Sequence, residues 1–122
     1  MNRLCLAFAL TAFVNGAADA ADQTLKLAVG QQAPIELEEN PTTGYRWAID
    51  AQASSNLSIV HIDDRGFSHK GGDKPLPGAP GVHRWSIEAA TPGNASITFV
   101  YRRPWESSVA RRYQVEVEAT VR

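Results

Sequence analysis

The chain has 122 residues, 43 % of them hydrophobic, with 12 basic against 13 acidic side chains. That length suits one domain at most, since domains typically run to about 100–150 residues. A net charge of −1 offers no basic excess for nucleic acid, and the apolar content is above that of a disordered chain.

The one long apolar run, Leu4–Val14, follows Arg3 and precedes Asn15, Gly16 and several small residues. Ala18-Asp19-Ala20 supplies an A-x-A site, so residues 1–20 are expected to be a secretory signal peptide and 21–122 the mature domain. A run this short spans only about half a bilayer as a helix, so no membrane attachment is expected after cleavage. Cys5, the only cysteine, stands at the start of the run, where a lipoprotein cysteine would follow it, and it leaves with the signal. The mature chain, bound for the periplasm or the cell exterior, then has no thiol for a disulfide, a nucleophile or a metal. Roughly 100 residues must hold together by core packing alone, which is feasible at that size.

Period-two alternation dominates the remainder, and no segment carries a sustained 3.6-residue stripe. Strands are predicted in turn at Leu25–Val29, at Ala33–Leu37, at Tyr45, Trp47 and Ile49, and at Leu57–Ile62. They continue at His83, Trp85, Ile87 and Ala89, then at Ile97, Phe99 and Tyr101 after the turn signal Thr91-Pro92-Gly93-Asn94. The clearest is the last, with Tyr113, Val115, Val117, Ala119 and Val121 against Gln114, Glu116, Glu118 and Thr120. Such strands bury one face and wet the other. Seven of them predict an all-β, immunoglobulin-like antiparallel β-sandwich, because each sheet must bury its apolar face on another. A small closed barrel is the alternative.

Three connections stand out: the polar turn Glu38–Gly44, the long segment Arg65–Gly81, and Arg102–Ala110. Long connections in small domains are usually functional or mobile. In a seven-stranded sandwich the turns after strands two, four and six lie at the same end, so these three are expected to converge.

Catalytic readings are weak. His61, Asp63, Asp64 and His69 include metal-ligating types, but no second histidine falls at ligand spacing, and His61 reads better as a half-buried strand residue. No G-x-S-x-G elbow accompanies the serines, and His83 alternates with apolar neighbours as a satisfied core residue would. Glu38 and Glu39 are adjacent on a strand, point to opposite faces and cannot share a substrate atom. No enzyme activity, metal or cofactor is expected.

The loops are more specific. In Asn40-Pro41-Thr42-Thr43-Gly44-Tyr45, Pro41 fixes its own φ and biases Asn40 toward extended geometry, while Gly44 permits a positive φ. The product is a short, stiff loop presenting two hydroxyls. Arg103-Pro104-Trp105 places a tryptophan outside the strand alternation, where it either folds back on the sandwich edge or meets a partner. Arg and Trp are enriched at binding hot spots.

N-P-T-T-G-Y, a glycine-rich loop and R-P-W, in that order on a small exported β domain, resemble the chagasin-type inhibitors of papain-like cysteine proteases. The likeness runs from about Leu25 to Val121. The first and third motifs match in full. In the middle one the family shows G-x-G-G, where this chain has Gly78-Ala79-Pro80-Gly81, so Pro80 replaces a glycine. Gly71-Gly72 is an alternative anchor in the same loop.

The resemblance implies an immunoglobulin-like fold whose three loops dock across a protease cleft, with a papain-like cysteine protease as partner and a monomer as the acting form. The segment Asn40, Pro41, Thr42, Thr43, Gly44 and Tyr45 would sit at the enzyme's catalytic centre, with Thr42 nearest its cysteine and histidine. Pro77, Gly78, Ala79, Pro80 and Gly81 would run along the non-primed side, with Leu76 before them also in contact with the protease. Arg103, Pro104 and Trp105 would lie on the primed side, Trp105 being the aromatic anchor. Prolines in all three loops lower the ordering cost of binding. A competing reading keeps the scaffold and makes the loop end a non-inhibitory adhesion or ligand-binding module.

Overall fold

The computed structural model describes residues 21–69 and 80–121. Seven strands form: β1 (Gln23–Ala28), β2 (Gln32–Glu39), β3 (Arg46–Ile49), β4 (Val60–His69), β5 (Gly81–Ala89), β6 (Gly93–Arg102) and β7 (Arg111–Thr120). They divide into a four-stranded sheet of order β1-β7-β6-β3 and a three-stranded sheet of order β2-β5-β4. The arrangement is the immunoglobulin-like sandwich expected from the alternation, and not a closed barrel.

The core lies between the sheets. Leu25, Leu27, Trp47, Ile97, Phe99, Val115 and Val117 from one layer meet Ile35, Leu37, Trp85 and Ile87 from the other. Trp85 and Phe99 pack with ring centroids 4.7 Å apart. Each inward residue is the apolar member of its alternating pair, which is how a period-two pattern becomes a buried face.

Four departures from the sequence expectations have physical causes. First, β1 pairs with β7 in parallel, Leu25 opposite Val117, so the sandwich is not wholly antiparallel. Strands that reverse at every turn put all odd-numbered members in one direction, and β1 and β7 become neighbours. Second, Leu57–Ile59 is a 3-10 turn, and the strand starts at Val60. Asn56 ahead of it is left-handed, with φ 58°. Third, β4 continues to His69, paired residue by residue with β5, so the connection is 70–80 and shorter than Arg65–Gly81. A bulge between Asp64 and Gly66 absorbs the break in register that the sequence presents as the start of a loop. Fourth, Thr98 and Val100 on the outward side of β6 are buried. The 3-10 turn Ala51–Ala53 folds over this side: Thr98 Oγ1 donates to the Ala53 carbonyl at 2.9 Å, and Ser54 Oγ accepts from Thr98 N at 3.0 Å.

The register brings the even-numbered turns to one end, as expected. Gly81 stands opposite both Glu39 and His69, and Arg46 stands opposite Arg102. Among the described residues no helix is long and apolar enough to cross a membrane. The predicted signal, residues 1–20, lies outside the described residues.

Candidate functional site: a wedge of two stapled loops

The 40–45 loop is built as a self-capped 3-10 turn, Pro41–Thr43. Asn40 is its N-cap: the side-chain Oδ1 accepts from Thr42 N at 3.3 Å and from the Thr42 hydroxyl at 2.6 Å. The Thr43 hydroxyl donates to the Asn40 carbonyl at 2.7 Å and accepts from Tyr45 N at 3.3 Å. Both hydroxyl protons are therefore spent inside the loop. The expectation of two presented hydroxyls is corrected to two internal staples, and Thr42 offers shape more than a donor. Gly44 closes the turn at φ 85°, a left-handed geometry that an L side chain resists.

The stems of the loop are clamped from beneath by Glu39, which the sequence reading weighed only as one of a pair of catalytic acids. Glu39 is buried, 1 % exposed, and its Oε2 accepts from Trp47 N at 2.7 Å, while Trp47 Nε1 donates to the Glu38 carbonyl at 2.8 Å. The imidazole Nδ1 of His83 lies 3.2 Å from both Glu39 carboxylate oxygens, and its Nε2 lies 2.7 Å from Asp64 Oδ1. His83 stacks flat on Trp85, centroids 4.1 Å apart, and is the satisfied inner-face residue its neighbours predicted. The row Asp64–His83–Glu39–Trp47 thus ties four strands together under the loop, β4, β5, β2 and β3. Alternation shows that Glu39 faces inward, and an acid at an inward position is the available signal.

The 103–106 segment is a turn closed by Glu106 N on the Arg103 carbonyl at 2.9 Å, with Pro104 at its first central position. Arg102 Nη1 donates to the Glu106 carbonyl at 2.8 Å and reaches the Pro104 carbonyl at 3.4 Å. Arg103 crosses to the neighbouring loop: its Nε donates to the Thr43 carbonyl at 3.2 Å, and its guanidinium lies 4.5 Å over the Tyr45 ring. Tyr101 joins the two loops again. Its ring lies against Tyr45 and Trp47 at 5.3 and 4.8 Å, and its hydroxyl accepts from Asn40 N at 3.1 Å. Tyr45 therefore serves as a loop residue, and β3 begins one position later than predicted.

Trp105 is 71 % exposed. It does not fold over the sandwich edge. Its indole rests beside Gly44, where an added Cβ would come within 2.6 Å of Trp105 Cη2. Glycine is required there twice, for the φ and for the indole. The two fully matched motifs thus form one projecting edge, with Thr42, Thr43, Pro104 and Trp105 outermost.

The middle motif is placed only in part. Leu76, Pro77, Gly78 and Ala79 lie outside the described residues, as do Gly71 and Gly72. Pro80 is exposed, and Gly81 is buried. A Cβ at Gly81 would stand 2.3 Å from the Ser68 carbonyl oxygen and 2.5 Å from the Phe67 ring, so this glycine lets β4 approach β5. The described stems, His69 and Gly81, stand at the same end as the wedge.

The alternative metal cluster does not assemble. Asp63 pairs with Arg65 at 3.2 Å, Asp64 is engaged with His83 and Gly66 N, and His61 is exposed, not half-buried. Among the described residues no group of three or more potential ligand side chains is placed to hold a metal ion.

The chain is similar to known proteins in both sequence and fold. The chain is 31 % identical to chagasin of Trypanosoma cruzi over 100 residues, covering 79 % of this chain and 88 % of chagasin. It is 33 % identical to amoebiasin-1 of Entamoeba histolytica, covering 67 % and 74 % of the two chains. Among solved structures, a cysteine protease inhibitor of Entamoeba histolytica superposes with a TM-score of 0.64 at 21 % identity, over 82 % of this chain and 87 % of that one, a likeness of fold. Residues 26–117, from the first strand to the last and including both loops of the wedge, match the chagasin family peptidase inhibitor I42, and the chain belongs to that family.

Proposed function

We propose that the chain is a reversible, non-covalent inhibitor of papain-like cysteine proteases that occludes the active-site cleft with loops from one end of the sandwich. The observation that carries this reading is the wedge: an exposed tryptophan held on Gly44 and bound through Arg103 to a self-capped loop. An exposed indole costs free energy in water unless a partner covers it, and a preformed edge loses little entropy on docking. In this reading Thr42 meets the catalytic centre, Trp105 anchors the primed side, and the 77–81 segment follows the non-primed side. Gly81 fixes where that segment returns. About 800 Å² per partner is the standard size for such complexes. The inhibitor works as a monomer and without a cofactor.

We also assign residues 1–20 to an export signal removed after Ala20, which delivers the inhibitor to the periplasm or the exterior. N-terminal sequencing of the exported protein would then begin at Ala21.

Titration of papain or a cathepsin L-type enzyme with the purified protein tests the main reading. Stoichiometric inhibition in the nanomolar range is expected. A charged residue at the tip must abolish it, so full inhibition by Thr42→Glu contradicts the placement of this loop. A folded protein that inhibits none of several such enzymes leaves the loop end as a binding module for another partner.

A further inference from the structure

The outward face of the four-stranded sheet has an unusual charge distribution at the wedge end. Arg46 on β3 stands directly opposite Arg102 on β6, and like charges so placed repel. Arg112 on β7 faces outward beside them, opposite Val100. Among the described residues, the side chains of Arg46 and Arg112 take no hydrogen bond or ion pair. Arg102 is engaged only with carbonyl oxygens, those of Pro104 and Glu106. The nearby carboxylates are committed elsewhere: Glu106 lies 3.5 Å from Arg103, and Asp50 caps the backbone of Gln52 and Ala53. Glu116 and Glu118 share the outward face of β7 but sit toward its far end, with Glu118 opposite Lys26. At about 3.4 Å per residue they are roughly 14–20 Å from Arg112, beyond the screening length of about 8 Å in physiological salt. Positive charge is therefore left uncompensated next to the wedge on a chain whose net charge is −1.

Arg102 and Arg112 line a groove of about 500 Å³, and Arg46 stands beside it as the cross-strand partner of Arg102. Ala48, Val100, Gln52 and Val109 line it, Arg102 and Arg112 supply the positive charge, and the acid in the lining, Asp50, has its Oδ1 held by the backbone N–H groups of Gln52 and Ala53. It is continuous with the wedge, because the Arg102 guanidinium that lines it also holds the carbonyl of Pro104, the residue before Trp105. We propose that this groove is a second contact surface, which takes carboxylate side chains from an acidic rim of the target protease beside the occluded cleft. The proposal rests on the inhibitor reading and adds the kind of enzyme it favours. Guanidinium groups bind carboxylates in a bidentate manner, and a charged face beside a docking edge acts chiefly on the rate of encounter. The chain thus selects acidic enzymes through association, while the wedge sets the lifetime of the complex.

The test is stopped-flow association of the protein and of the double variant Arg46→Gln/Arg112→Gln with two papain-like proteases, one of acidic and one of basic isoelectric point. Both replaced side chains are exposed, and their removal relieves repulsion without breaking a bond. With the acidic enzyme, the wild-type rate should fall about tenfold or more from low to high salt. The variant should start about tenfold slower at low salt and change little, with dissociation rates of the two within about threefold. With the basic enzyme the variant should not be slower. Equal low-salt rates for wild type and variant on the acidic enzyme, with inhibition intact, would overturn the groove and leave the wedge standing. No inhibition of either enzyme by folded protein removes the inhibitor reading, and this proposal with it.

Discussion

Trp105 and Gly44 form a single contact, and each gives a distinct experiment. Replacing Trp105 by Ala removes the exposed anchor without touching the core, so inhibition should weaken by about 2 kcal/mol or more, roughly thirtyfold, with the melting temperature unchanged. Inhibition constants and a thermal melt on the same sample check both halves. Gly44→Ala acts on two counts: a left-handed backbone at φ 85° costs a side chain about 1–2 kcal/mol, and the new methyl displaces the indole. That variant should lose some stability and also inhibit about as poorly as Trp105→Ala. A Gly44→Ala protein with wild-type inhibition would show that the indole does not need its seat. The composition of these two motifs was legible in the sequence as turn chemistry. Their mutual contact was not, because 61 positions separate Gly44 from Trp105 and only the pairing of β3 with β6 brings them together.

Within the elements, β2 carries two acids three positions apart whose surroundings are opposite. Glu36 pairs on the surface with Arg84 at 2.7 Å, a contact worth no more than about 1 kcal/mol. Glu39 is buried and holds Trp47 N while facing His83. Removing it leaves polar groups inside the fold without a partner, at about 1–3 kcal/mol for each. Glu39→Ala should therefore lower the denaturation midpoint markedly and weaken inhibition by loosening the loop stems, whereas Glu36→Ala should do neither. Urea unfolding with parallel enzyme titrations separates the two. The strand itself was predicted by its alternation, though one residue short at its start and two at its end, where Glu38 and Glu39 read as the start of a polar turn. What turns Glu39 into part of the strand is its pairing with Gly81, 42 positions away, and what holds its side chain inward is His83.

Across the whole molecule, β1 closes the larger sheet by lying parallel to β7, and Tyr113 marks that closure by donating its hydroxyl to Gln23 Oε1 at 2.8 Å. Burial of the phenol, and then the carboxylate of Asp22, hold the Tyr113 pKa above the ordinary tyrosine value of 10.0. The unfolded chain consequently ionises first as pH rises. The associated stability is intact below about 10 and is lost as pH climbs through the higher folded value. Melts taken from neutral to alkaline pH should show this decline, and Tyr113→Phe should make it shallower; an unchanged slope would mean that the phenol does not titrate with unfolding. The class of fold needed only local information. Alternation at Ile97, Phe99, Val115 and Val117 obliges two apolar faces to meet, and direction reversal at each turn obliges the even-numbered turns to share an end. Neighbour relations are different in kind. That β1 would lie beside β7, that β4 would run on through a bulge to His69, and that the outward Thr98 and Val100 would be covered by the turn at Ala51–Ala53 depend on contacts across the whole chain. Period and turn chemistry are properties of a few adjacent residues. Which strands become neighbours, and so which loops and charges share a surface, is settled only when the apolar faces compete for burial in three dimensions.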